Sequence, residues 1–179
     1  MGNVKFSSFP RTQPPQKFVA DVVTVFEKHD VAIGTVALGK GLTSDKVLAQ
    51  LSKDLGDLGF SVELDKTDEA KLQRPVFFGE NGRPDRQYEI DGYHPVWRCG
   101  LEVEAGRAWM GNAIYRDLIQ AMVMVDLDHL ILAVPQAYKY KSGGKDVTSK
   151  DYEKTVSVAD ALFGHSRIRM PYTLTVIGY

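Results

Sequence analysis

The hydrophobic positions along this chain follow two repeating patterns. Apolar residues spaced three and four positions apart are typical of amphipathic helices and predict helices over residues 16–29, 44–58, 110–125 and 152–163. β-Branched, alternating or continuous apolar runs predict strands over residues 31–38, 60–64, 75–78, 86–92, 97–105, 128–134 and 172–178. The polar segments 65–74 and 138–150 are predicted as loops.

The order of these elements predicts the architecture. Residues 128–134 are almost continuously apolar, which is typical of a strand covered by helices on both faces. Glycine, asparagine and proline between residues 79 and 84 predict a hairpin. We therefore expect an α/β fold in which residues 16–179 form a single domain, a mixed β-sheet flanked by helices. Residues 1–15 would precede it as an N-terminal arm, either extended or disordered.

The composition excludes several kinds of site. The formal net charge of the 179 residues is −1, so any basic surface must be local, and a non-specific DNA-coating protein is disfavoured. Cys99 is the single cysteine, which excludes an internal disulfide and a cysteine-based zinc site. The first 15 residues have no apolar core typical of a signal peptide, and no apolar run is long enough to span a bilayer. We therefore expect a cytoplasmic protein that does not contact membranes.

Acidic residues stand out on the predicted strand 97–105. Glu102 and Glu104 alternate with apolar residues, so both carboxylates lie on one strand face, about 7 Å apart. Asp91 falls on the matching face of the preceding strand. Like charges this close disfavour stability but suit a divalent cation, so the pattern predicts a three-carboxylate metal site. The alternative interpretation is an acidic strand face that is simply exposed to solvent.

These residues, followed by a helix and a buried strand, resemble the motif of the PD-(D/E)XK nuclease superfamily, which has the restriction endonuclease-like fold. Asp91 matches the first acid of the motif and Glu102 the second. Glu104 stands where the motif commonly has a lysine, a variant that occurs in some restriction enzymes of the superfamily. The resemblance covers about residues 43–134 and includes the run Glu-Val-Glu-Ala-Gly-Arg at 102–107.

The resemblance implies a Mg²⁺-dependent (or Mn²⁺-dependent) endonuclease that hydrolyses DNA phosphodiester bonds in restriction or repair. Asp91 and Glu102 would bind the metal, and Glu104 would accept a proton from the attacking water or help to hold a second ion. Double-stranded DNA is the expected substrate. A homodimer would place two active sites about a twofold axis and so allow cleavage of both strands.

Five further residues are candidates for binding the substrate: Arg107, Asn112, Arg116, Lys139 and Lys141. Arginine binds phosphate through two parallel hydrogen bonds, and lysines beside tyrosines suit the DNA backbone. Each candidate has a structural alternative. The alternative for Arg107 is a surface ion pair, and for the two lysines it is a solvated loop. For Asn112 and Arg116 it is a polar helix surface or a local network of the Arg116–Asp117 type.

Two other functions are compatible with the same residues. The glutamate at the motif's lysine position and the near-neutral charge favour a catalytically inactive nuclease-fold module that binds nucleic acid or protein. Hydrolysis of a different phosphate ester at an acidic metal site is the other.

Overall fold

The computed structural model describes residues 3–38, 41–63, 71–106, 108–109 and 111–179. The helices are α1 (Val19–Lys28), α2 (Asp30–Ile33), α3 (Ser44–Leu58), α4 (Ala113–Val123) and α5 (Asp151–Gly164), and a 3₁₀ turn spans Glu80–Gly82. The strands are β1 (Lys5–Phe9), β2 (Ser61–Val62), β3 (Leu72–Phe78), β4 (Pro84–Ile90), β5 (Gly92–His94), β6 (Cys99–Val103), β7 (His129–Val134), β8 (Tyr138–Ser142), β9 (Lys145–Ser149) and β10 (Thr173–Gly178). All four helices predicted from the apolar spacing are present, with ends within three residues of those predicted.

Six of the described strands form one mixed sheet, in the order β1-β10-β7-β6-β5-β2. Strands β10, β7 and β6 are parallel, and β1, β5 and β2 are antiparallel to their neighbours. Successive side chains of β7 lie on opposite faces of the sheet and pack into two separate hydrophobic cores. Ile131 packs with α1 and α3, whereas Leu130 and Leu132 pack with α4 and α5. The sheet is therefore covered on both faces, as the apolar run predicts, and each fully buried aliphatic side chain contributes about 2 kcal/mol.

Helix α3 begins and ends where its sequence predicts. Its apolar stripe is buried on the α1 side of the sheet, and Gly59 terminates it in the left-handed conformation, with φ of 104°. The Gly59 N–H donates to the carbonyl of Gly56 over 2.9 Å, which satisfies one of the terminal carbonyls of the helix. After α3 the chain returns to the sheet as β2, which lies beside β5. The N-terminal turn of α3 lies close to β5 and β6, the strands that carry the acidic residues described below.

Two hairpins lie outside the main sheet. Strands β3 and β4 pair around the turn that the sequence predicts at residues 79–84. Strands β8 and β9 form a second hairpin, so the prediction of a loop over residues 138–150 was wrong. Gly143 and Gly144 both have positive φ, 56° and 78°, at the tip of this hairpin. Two consecutive glycines between alternating residues favour a two-residue hairpin turn, and the charge of the flanking lysines masked that signal.

The predicted strand over residues 31–38 was also wrong. Asp30–Ile33 form the short helix α2, and the N–H groups of Ala32 and Ile33 donate to the carbonyl of His29. Val31 is 94% exposed, so the β-branched run does not lie in the sheet. Local helical hydrogen bonds after α1, together with burial of Ile33 beneath α3, outweigh the strand preference of valine and isoleucine.

Strand β1 lies within the segment predicted as an N-terminal arm. It is extended, pairs antiparallel with β10 and buries Phe9, so residues 5–9 belong to the main sheet. Residues 64–70, which include most of one predicted loop and the end of one predicted strand, lie outside the described residues. Within the ranges that the structure describes, no helix has the length and apolar character needed to cross a membrane.

Candidate active site

A cavity of about 850 Å³ lies where α3, α4 and β4 meet the ends of β5 and β6. Carboxyl groups predominate among the charged residues that line it. The acids are Asp45, Glu63, Glu89, Asp91, Glu102, Glu104 and Asp117, and the cations are Lys71, Arg86 and Arg116. This excess of carboxyls favours a bound cation inside the cavity.

Asp91 and Glu102 lie side by side because of the strand register. Strand β5 pairs antiparallel with β6, with Gly92 opposite Leu101, so Asp91 falls opposite Glu102. The N–H of Val103 donates to Oδ2 of Asp91 over 2.8 Å and fixes the position of that carboxyl. The cross-strand arrangement predicted for these two acids is therefore present.

Glu102 and Glu104 lie at the end of β6, next to the centre of the sheet. Glu102 is 8% exposed, and the Glu104 side chain is 16% exposed. The Glu104 backbone is held twice, since its N–H donates to the Ala133 carbonyl over 2.9 Å and its carbonyl accepts from the Tyr179 hydroxyl over 2.7 Å. The alternative of a solvent-exposed acidic face is therefore wrong for these glutamates.

Asp117 is a fourth carboxyl in this cavity, and the sequence analysis did not select it as a site residue. It lies on α4 and is 2% exposed, and its Oδ2 is buried without a hydrogen-bond partner among the described residues. A signal existed in the sequence. Asp117 falls three residues after Ile114 and four before Ala121, on the helix face that is buried, where an unpaired acid is costly.

Burial raises the pKa values of all four carboxyls. The pKa of Asp91 is raised to about 6, mainly by burial and partly offset by the Val103 N–H. Burial, followed by the charge of neighbouring Asp117, raises the pKa of Glu104 to about 8. The pKa of Glu102 is raised well above its usual value by burial and by Asp91, and burial also raises the pKa of Asp117. A site that titrates near neutrality is typical of catalytic centres.

Arg116 partly neutralises one side of the cluster. Its Nε donates to Oδ1 of Asp117 over 2.9 Å, and its Nη2 lies 3.4 Å from Oε1 of Glu104. The Arg116 side chain is itself 59% exposed, so it reaches in from the rim. Asp91 and Glu102 form no ion pair with a described residue. Arg116 therefore lines the cavity and at the same time forms the local pair with Asp117 that was the structural alternative for this residue, and its role in binding substrate stays a prediction.

The chemistry of the donor set fits a hard divalent ion. Carboxylate oxygens are the ligands that Mg²⁺ and Mn²⁺ prefer. Asp117 pairs with Arg116 through Oδ1, whereas its buried Oδ2 has no hydrogen-bond partner among the described residues. Nevertheless, no three His, Cys, Asp or Glu side chains among the described residues converge closely enough to share one ion. Metal binding at this site would therefore require its carboxyl groups to turn towards one another.

Asn112, Lys139 and Lys141, three of the other predicted substrate-binding residues, are not among the residues that line the cavity. Asn112 is exposed at the N-terminus of α4, with φ of 55°. Lys139 donates to the carbonyls of Val36 and Leu38, and Lys141 lies 3.9 Å from Asp146 on the β8–β9 hairpin. Arg107 lies outside the described residues. Arg86, which the sequence analysis did not select, lines the cavity and forms no ion pair with a described residue.

No protein-family profile matches this chain, and no curated protein matches it. Among solved structures, the restriction endonuclease BglII in complex with a DNA 16-mer is similar to it in fold. The TM-score is 0.50 at 10% sequence identity, over 98% of this chain and 75% of that one. At this identity the likeness shows the fold alone. The chain therefore has a restriction endonuclease-like α/β fold, as the sequence predicts.

Proposed function

We propose that this protein is a Mg²⁺- or Mn²⁺-dependent endonuclease that hydrolyses phosphodiester bonds of double-stranded DNA, in restriction or repair. The observation that carries the proposal is the gathering of Asp91, Glu102, Glu104 and Asp117 in one cavity. Burying four carboxyls together destabilises the folded protein, so the cluster indicates a function that needs them. The fold similarity to a restriction endonuclease solved with DNA supports the same reaction class.

Three of the four carboxyls have a proposed role. Asp91 and Glu102 would hold the metal ion, which when bound supplies charge stabilisation at the phosphate and a more acidic water. Glu104 would accept a proton from the attacking water, because its raised pKa makes it a suitable base near neutral pH. Arg116 would orient Glu104 through the contact of Nη2 with Oε1.

The rim of the cavity offers contacts for the DNA backbone. Arg86 and Arg116 both line the cavity and are exposed to solvent. A guanidinium group binds a phosphate through two parallel hydrogen bonds, so these residues suit a backbone that crosses the opening. We further propose that two copies act as a homodimer, which would cut both strands, and that the protein acts in the cytoplasm.

A second candidate function is a catalytically inactive module that binds nucleic acid or protein. Two observations favour it. Arg116 already contacts both Glu104 and Asp117, and no three acidic side chains of the described residues converge on one point. In this case the cleft would bind its partner without an ion, and the carboxyls would be neutralised by protons and by Arg116.

A cleavage assay separates the two candidates. The full chain is incubated with supercoiled plasmid and Mg²⁺ or Mn²⁺, together with Glu102→Gln, which keeps the side-chain shape but removes the charge. Asp57→Asn is the matched control, since the Asp57 side chain is 68% exposed on α3. We expect cleavage by the wild type and the control and none by Glu102→Gln.

Two results would contradict the proposal in different ways. Cleavage by Glu102→Gln at the wild-type rate would remove the assigned role of Glu102. A folded wild type that cleaves no DNA with either metal, and whose calorimetric titration with Mn²⁺ shows no heat of binding, would support the inactive module.

A further inference from the structure

Asp117 brings a buried carboxyl group from α4 into the lining of the cavity. The residue is 2% exposed, and its side chain is 1% exposed. The Nε of Arg116 donates to Oδ1 over 2.9 Å, whereas Oδ2 is buried and accepts no hydrogen bond from a described residue. A buried carboxylate oxygen without a partner destabilises the folded protein, so this oxygen favours a positively charged ligand.

Asp117 lies close to each of the other three carboxyls. Arg116 contacts two of the four at once, since its Nη2 lies 2.8 Å from Oδ1 of Asp117 and 3.4 Å from Oε1 of Glu104. Burial is the main cause of the raised pKa values of the other three carboxyls, and the charge of Asp117 contributes to all three. Asp117 therefore lines the same space as Asp91 and Glu102, the proposed metal ligands.

Arg116 supplies the positive charge beside Asp117 in the structure. The two side chains differ in their freedom to move, because that of Arg116 is 59% exposed and that of Asp117 is buried. An exposed side chain changes its rotamer rapidly, and water solvates a guanidinium group that turns outwards. The pair therefore combines a fixed buried acid with a cation that can leave it without any movement of α4.

We propose that Asp117 is a further ligand of the divalent ion, and that Arg116 is an internal counter-ion that the ion displaces from Asp117. Asp117 would exchange its contact with Arg116 for one with the ion, and Arg116 would turn towards the rim of the cavity. Its contact with Glu104 is not part of this exchange. No three acidic side chains of the described residues converge on one point, and release of Asp117 is one of the turns that convergence requires. This inference rests on the metal dependence in the proposed function.

Calorimetric titration of the full chain with Mn²⁺, without DNA, tests both residues. Asp117→Asn keeps the shape of the side chain and removes its charge, so the Mn²⁺ affinity should fall by at least about tenfold. Arg116→Gln should raise the affinity. If the pair with Asp117 is formed about 70–90% of the time, its removal raises the apparent affinity about three- to tenfold. Glutamine is a good helix former, so this exposed substitution should leave the protein folded.

Each variant has a control that changes the charge by the same amount. Asp57→Asn removes an exposed carboxylate of α3 that does not line the cavity, so it should bind Mn²⁺ like the wild type. Arg86→Gln removes a cation that lines the cavity but forms no ion pair with a described residue. It should change the affinity by less than about twofold, because solvent and salt screen an exposed charge.

The double variant separates displacement of Arg116 from a general effect of its charge. If Arg116 competes with the ion for Asp117, Arg116→Gln should raise the Mn²⁺ affinity in the wild-type background and not in the Asp117→Asn background. An equal gain in both backgrounds would mean that Arg116 acts only through its charge at a distance. That result, or an Arg116→Gln variant that binds Mn²⁺ no more tightly than the wild type, would overturn the exchange.

Metal binding and DNA cleavage together separate this inference from the proposed function. A folded Asp117→Asn variant with unchanged Mn²⁺ affinity would overturn the role of Asp117, even if the wild type cleaves DNA. A wild type that cleaves no DNA, but whose Mn²⁺ affinity depends on Asp117 and Arg116 as expected, would contradict the nuclease and leave this inference standing. A wild type that binds no Mn²⁺ would overturn both. Circular dichroism of each variant checks that it is folded.

Discussion

Asp54 on α3 and the cavity acids Asp91, Glu102, Glu104 and Asp117 show how one chemical group behaves in two parts of the same molecule. Asp54 lies 2.6 Å from Lys28 Nζ and 2.6 Å from His29 Nε2, and these hydrogen bonds lower its pKa to about 2. In the cavity, burial beside like charges raises the pKa of Asp91 to about 6 and that of Glu104 to about 8.

The difference separates a structural carboxylate from a candidate functional one. Asp54 pairs with Lys28 at the end of α1 and is hydrogen-bonded to His29, the residue that follows α1, so its charge is compensated within the chain and these contacts connect two helices. Glu102 is buried with three other carboxyls, and Arg116 forms ion pairs with two of them, Glu104 and Asp117. Carboxylates whose charge the protein itself leaves uncompensated favour a ligand from solution, and here that ligand is the proposed divalent ion.

The largest expected effect is on activity. Glu102→Gln should reduce DNA cleavage by at least about 100-fold, because the variant removes a charged ligand of the proposed ion. Asp54→Asn should cleave at close to the wild-type rate, since Asp54 lies outside the cavity. Plasmid cleavage under single-turnover conditions measures both rates. If Glu102→Gln and Asp54→Asn reduced the cleavage rate equally, the distinction between Asp54 and the acids of the cavity would be wrong.

The second-largest effect is expected on stability. Glu102→Gln, which should lose more activity than Asp54→Asn, should be the more stable of these two variants. Without divalent ions at pH 8, Glu102→Gln should raise the melting temperature by about 3–8 °C. Burial and Asp91 raise the pKa of Glu102, so at this pH Glu102 must either carry a buried charge or take up a proton, whereas glutamine is neutral without one. Thermal melting followed by circular dichroism gives the value, and Glu102→Asp, which keeps the charge, is the control. A melting temperature below that of the wild type would mean that the Glu102 charge is already compensated.

The third effect is on pH dependence. Groups whose pKa is raised in the folded state stabilise it fully below their unfolded pKa near 4, and this contribution is lost as the pH rises. For Asp91 this stabilising contribution is lost as the pH rises from about 4 through 6, and for Glu104 as it rises from about 4 through 8. The metal-free protein should therefore melt about 3–6 °C lower at pH 8 than at pH 5.

Mg²⁺ or Mn²⁺ should reduce this decrease of the melting temperature with rising pH, because a bound ion displaces the protons and favours the charged carboxyls. The stabilisation by metal should consequently be larger at pH 8 than at pH 5. Melting curves across this range, with and without about 5 mM ion, measure both slopes. Equal metal effects at the two pH values would argue against binding at the raised carboxyls.

The smallest effect is expected at Asp54. Its lowered pKa gives stability that is present above about pH 4 and is lost as the pH falls through 2. Asp54→Asn should lower the melting temperature by about 1–3 °C at pH 7, since partly exposed ion pairs contribute little. The same variant should make no difference near pH 2, and a difference that persists there would point to packing instead of charge.

The local spacing of residues predicts much of the fold. The helices at α3 and α5 follow from apolar periodicity, and the continuous apolar run of β7 correctly predicts a sheet covered on both faces. Two predictions failed where local and distant contacts compete. Val31 follows α1 into a further helical turn, and the lysine-rich segment 138–150 pairs with itself around Gly143 and Gly144.

The residues of the candidate site can also be divided into those that follow from spacing along the chain and those that do not. Alternation along one strand places Glu102 and Glu104 on one face, and strand order adds Asp91, so three acids of the cavity follow from the sequence. Asp117 is twelve residues or more from each of them, and its charge looks like ordinary helix surface when the residues are considered one at a time. Lys139 and Lys141, whose chemistry suits DNA, lie on a hairpin that does not line the cavity, so their proposed role stays a prediction.

The sequence alone determined the covered α/β sheet, the helices on its faces and the strand that carries two glutamates, because these depend on periodicities within one segment. Only the tertiary structure decided that Asp117 joins the cluster, that Arg116 reaches over it and that apolar residues such as Ile119 of α4 are exposed. Those relations depend on how α4 packs against β6 and β7. Packing fixes the rotation of a helix about its axis, and that rotation selects which side chains face the cavity and which face solvent.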